Sequence, residues 1–61
     1  MDKATAVQDT VNAAVVVAQV RNDYGNNSPE AHAAYQVAVD RANTARQFGA
    51  SDEDFRTTRP A

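Results

Sequence analysis

The sequence predicts an all-α fold: an antiparallel helical hairpin followed by a short third helix, with the hairpin expected to dimerise into a four-helix bundle. Three observations predict it. Apolar residues recur at helical spacing over two long stretches, Gly and capping residues punctuate the chain twice, and the two-residue alternation of strands is poorly developed. The 61 residues are expected to form a single helical domain. Helix 1 is expected over about 4–24, a turn over 25–28, helix 2 over about 29–48, a short helix over about 52–57, and a frayed tail over 58–61.

Each boundary has a chemical reason. Helix 1 runs from about Ala4 to Tyr24 and stops at Gly25, which enters left-handed backbone conformations without a Cβ clash. Gly25-Asn26-Asn27 all suit a turn. Ser28 fits an N-cap, Pro29 the first helical position, and Glu30 the positive end of the helix dipole. Helix 2 stops at Gly49, Ser51 opens a third cap with Asp54 three residues on, and Pro60 ends the helical signal. A connection of a few residues makes the two long helices antiparallel neighbours. The run Val15-Val16-Val17 lowers helix propensity only modestly.

The apolar inventory limits the core. There are 13 Ala and 8 Val but no Leu, Ile or Trp, and the large side chains are Met1, Tyr24, Tyr35, Phe48 and Phe55. Alanine buries little area, and a chain this short has a thin stability margin. No cysteine is present, so neither a disulfide nor a thiolate zinc site can supply the difference. Self-association or a permanent protein partner is the expected remedy.

The helical faces point the same way. At 100° per residue, helix 1 carries a polar strip of Thr5, Gln8, Asp9, Asn12, Gln19 and Asp23. The remaining surface divides into two apolar stripes. One is Ala6, Ala13, Val17, Val20 and Tyr24; the other is Val7, Val11, Ala14, Val15 and Ala18. Helix 2 has one stripe: Ala31, Ala34, Tyr35, Ala38, Val39, Ala42 and Ala45. A helix with a single neighbour needs only one stripe, so helix 1 is expected to touch two. A dimer of hairpins satisfies this, with Val7, Val11, Ala14, Val15 and Ala18 as its interface. The alternative is a monomer in which the C-terminal segment, through Phe48 and Phe55, covers the second stripe.

Residues that could carry chemistry have plainer roles. His32 lacks an orienting acid, because Glu30 two positions away points elsewhere on a helix. Asp52-Glu53-Asp54 fan outwards in a helical first turn, where they offset the dipole instead of converging on a cation. Ser28 and Ser51 act as caps, and no phosphate-binding glycine loop occurs. The expectation is a non-enzyme with no catalytic residue, no metal, no cofactor and no small-molecule substrate. The net charge of −2 comes without a basic patch. The longest apolar run, Ala13–Ala18, is far short of a membrane span, and no signal peptide is evident, so a soluble cytoplasmic chain is expected. The excess of Arg over Lys, with abundant Ala and Val, is associated with GC-rich coding genomes such as those of many bacteria and their phages.

Residues Ala45–Phe55 resemble the core of a helix-turn-helix: small Ala45 four residues before turn Gly49, and apolar Phe55 six residues after it. The resemblance implies a nucleic-acid-binding regulator as the alternative function, with Arg46, Arg56 and Arg59 on the phosphates. Its recognition helix would open on Asp52, Glu53 and Asp54. In length and layout the chain also resembles the ROP family of dimeric four-helix bundles that bind RNA hairpins. On the corresponding face of helix 1 stand Gln8, Asn12 and Gln19 with Asp9 and Asp23, and no Lys.

Overall fold

The computed structural model describes all 61 residues. The fold is all-α, with helices α1 (Lys3–Tyr24), α2 (Pro29–Gln47) and α3 (Asp52–Thr57) and no strand. Each helix begins on a side-chain oxygen that accepts an otherwise unpaired N–H of the first turn. Asp2 accepts from the Thr5 N–H at 2.8 Å. Ser28 Oγ accepts from the Ala31 N–H at 3.1 Å and donates to the Gly25 carbonyl at 2.9 Å, so one hydroxyl ties the turn to the helix it starts. Ser51 and Asp54 form a complete capping box: the Ser51 side chain receives the Asp54 N–H, and the Asp54 carboxylate receives the Ser51 N–H at 2.9 Å.

The two glycines end the long helices differently. Gly25 continues the helical hydrogen bonding to the Arg21 carbonyl and then leaves at φ 96°, ψ 155°, a region open essentially to glycine alone. Gly49, at φ 93°, forms a Schellman turn. Its N–H donates to the Arg46 carbonyl, and the Ala50 N–H reaches back to the Ala45 carbonyl, both at 3.0 Å. The turn folds Ala50 onto Ala45 and aims α3 back at the start of α1.

The long helices pack antiparallel. Asp9 of α1 pairs with Arg41 of α2, while Arg21 lies over the Tyr35 ring further along. The seam is built of small residues: Ala6, Ala13 and Val17 from α1, and Ala31 and Ala45 from α2, all buried. Thr10 is buried in the same row, and its hydroxyl donates to the Ala6 carbonyl at 2.9 Å, so no polar atom is left unpaired there. At the α3 end the core is Ala6, Val7, Ala45 and Ala50, with Val11 and Phe55 packed on it. Only 8 of 61 residues are buried, and none is larger than Val.

Helix α3 lies on α1 across this core. The Lys3–Asp54 pair at 3.4 Å joins the two helix starts. Arg46 covers the Phe55 ring from α2 and meets Asp52 at 3.1 Å. Residues 58–61, which carry no helical signal, run along α1. Gln8 Nε2 donates to the Arg59 carbonyl at 2.8 Å, and the Ala61 N–H donates to Asn12 Oδ1 at 3.0 Å.

Two outcomes follow for stability. Nothing would crowd a Cβ at Gly49, so Gly49→Ala acts through backbone strain alone. It is expected to cost about 1–2 kcal/mol, read as a lowered urea midpoint with unchanged slope. The Asp54 carboxyl is held below its ordinary value of 3.8, first by the Ser51 backbone N–H and further by the Ser51 hydroxyl and Lys3, against an opposing effect of burial. A depressed carboxylate stabilises the fold above its unfolded pKa and loses that contribution as pH falls through the folded value. Stability should therefore be level around neutrality and fall in acid below about 3.8, with Asp54→Asn reducing the fall in pH-dependent melts.

Candidate interaction surfaces

The structure splits the second stripe of α1. Val7 is 3% exposed, within the core on which Phe55 of α3 packs, and Val11 is half-buried against the same core. Ala14, Val15 and Ala18, further along the same stripe, are exposed. The C-terminal segment thus takes one end of the stripe and leaves the other free. Phe55 supplies this cover; Phe48, at the C-cap of α2, stays exposed.

A second surface was not foreseen. A shallow groove runs between α1 and α2, and Lys3, Val7, Val11 and Arg46, which hold α3, stay out of it. Met1, Ala6, Asp40 and Thr44 line one end, and Asn12, Ala13, Val16 and Ala34 the other; Asp9, Val37 and Arg41 belong to both. Val16 is 50% exposed and Val37 47%. On separate helical wheels each of these valines stands outside the apolar stripe, Val16 beside Asp9 and Val37 beside Asp40. Only pairing the helices puts them in one groove.

The groove's electrostatics centre on one pair. Arg41 and Asp9 meet across it at 3.9 Å, with about half and a third of their side-chain surface exposed. That separation is longer than the ~2.8 Å of a well-formed charge-assisted hydrogen bond, so most of the guanidinium donors remain free. No three or more His, Asp or Glu side chains converge as a metal site would require, and His32 is exposed. No helix is long and apolar enough to cross a membrane.

The three arginines of the helix-turn-helix resemblance are exposed. Two have acid partners: Arg46 with Asp52 at 3.1 Å, and Arg56 with Glu53 at 3.2 Å. Arg59 contributes its carbonyl to the Gln8 contact. Helix α3 has six residues and opens on three acids, so a phosphate backbone approaching it meets negative charge first. Binding to mixed-sequence duplex DNA or RNA at low salt is expected to be weak, and unchanged by Arg56→Ala with Arg59→Ala. A steep salt dependence that flattened in that double variant would restore these residues as phosphate contacts.

No family model matches the chain, and neither does any curated protein or solved structure.

Proposed function

We propose that this chain is a small non-catalytic protein–protein interaction module, a regulator or adaptor that works as a helical hairpin in the cytoplasm and self-associates into a four-helix bundle. One observation carries the reading: the core contains no fully buried large side chain, while Val15, Val16, Val37, Tyr35 and Met1 are all substantially exposed. Covering a half-exposed valine is worth on the order of 1 kcal/mol. A partner surface that covers several of them supplies what the alanine core cannot. The charge balance and the acid-paired arginines support a protein partner over a polyanion.

The test is solution mass by light scattering with helicity by circular dichroism, over a concentration series. Mass and thermal midpoint are expected to rise together with concentration, towards twice the 6.6 kDa of the chain. A helical monomer at every concentration would remove self-association; a poorly helical monomer would assign the missing surface to a different protein.

A further inference from the structure

The geometry points to the α1/α2 groove, on the side of the hairpin away from α3, as the docking face for a second copy of this chain, with the Asp9–Arg41 pairs of the two copies closing into a ring of four alternating charges. The inference rests on the proposed self-association and names the face that carries it.

Area singles out this face. The chain extends 32 Å along the helices and 19 and 17 Å across. The two-helix groove face, which the tail meets at Asn12, projects roughly 550–600 Å² at those dimensions, near the ~800 Å² of accessible surface that each partner contributes to a standard interface once side-chain relief is counted. The opposite face is already occupied over one end by α3, leaving only the shorter patch around Ala14, Val15 and Ala18. A four-helix layer needs two flat hairpin faces in contact along their length, and only the groove side offers one.

Charge and shape are self-complementary about a two-fold axis along the groove. Such an axis lays α1 of one copy antiparallel on α2 of the other and puts residues of matching height face to face. Asp9 and Arg41 stand at matching height, because they pair within one chain. Each Arg41 would then sit between its own Asp9 and the Asp9 of the second copy. The 3.9 Å separation within one chain leaves guanidinium donors for that second carboxylate. Further along the groove, Val16 and Val37 project beside Ala13 and Ala34, small residues that leave holes for the valines of the facing copy.

The ring makes a specific demand. A chain carrying Asp9→Arg has two positive charges at the groove centre, and a chain carrying Arg41→Asp has two negative ones. All four side chains of either homodimer would then repel. A one-to-one mixture restores both contacts across the interface.

The experiment measures dimer dissociation constants of the full chain by light scattering and sedimentation, with circular dichroism as a folding control. Each single variant alone is expected to dimerise about tenfold more weakly or worse, and the mixture to recover association. Val37→Glu should give a monomer, while Val15→Glu, on the other face, should leave the dimer intact. If the wild type dimerises but Val15→Glu abolishes association and Val37→Glu does not, the groove is overturned and self-association stands. If the mixture is no tighter than its components, the charge ring is overturned. If the wild type stays monomeric up to millimolar concentration, self-association itself fails, and this docking face with it.

Discussion

Ala45 is where the three helices are made to agree. It has no exposed surface, and it packs with Ala6 and Val7 of α1 and with Ala50 beyond the turn. Its single methyl group lets α1 approach closely, as small residues at helix contacts do. Its carbonyl receives the Ala50 N–H and so closes the Schellman turn at Gly49. A larger side chain here would push α1 away and lift the segment that leads into α3. Helix packing and chain reversal therefore depend on the same residue.

The close seam has a cost elsewhere. A contact made of alanines removes little apolar area from water, so the hairpin gains cohesion from fit more than from bulk. Valines that would fill a wider core remain on the outside. Helix α3 relieves part of this, since Phe55 packs on the core that contains Val7 while Arg46 lies over its ring. Its attachment is otherwise polar and near the surface: the Lys3–Asp54 pair and the Gln8 and Asn12 contacts to the tail. Contacts of that kind stabilise weakly one by one, so Phe55 and the Schellman turn carry most of the docking.

The two faces of the hairpin thus end up with different roles. One is partly closed by α3. The other keeps an open groove whose floor is small and whose centre is a loosely made ion pair. The proposed interaction function follows from this inequality: α3 packs over one face, while the other is met by the chain's own tail only at Asn12.

Much of the fold was legible because its signals are local. Ser28 with Pro29, Gly25, Gly49, and Ser51 with Asp54 act through bonds spanning a few residues, so their types and spacing are enough to place the helix ends. The Asp2 cap is equally local, an acid directly before the helix whose carboxylate accepts the Thr5 N–H. The sequence also determined that helix 1 had more apolar surface than one neighbour needs. What covers that surface was decided only by tertiary structure. Whether Phe48 or Phe55 turns inward depends on the direction in which the Gly49 turn sends the chain, and that is a property of backbone geometry in three dimensions. The groove was hidden for a related reason: Val16 and Val37 each look isolated on their own helix, and they share a surface only once the register and rotation of α1 against α2 are set by the fit of their alanines.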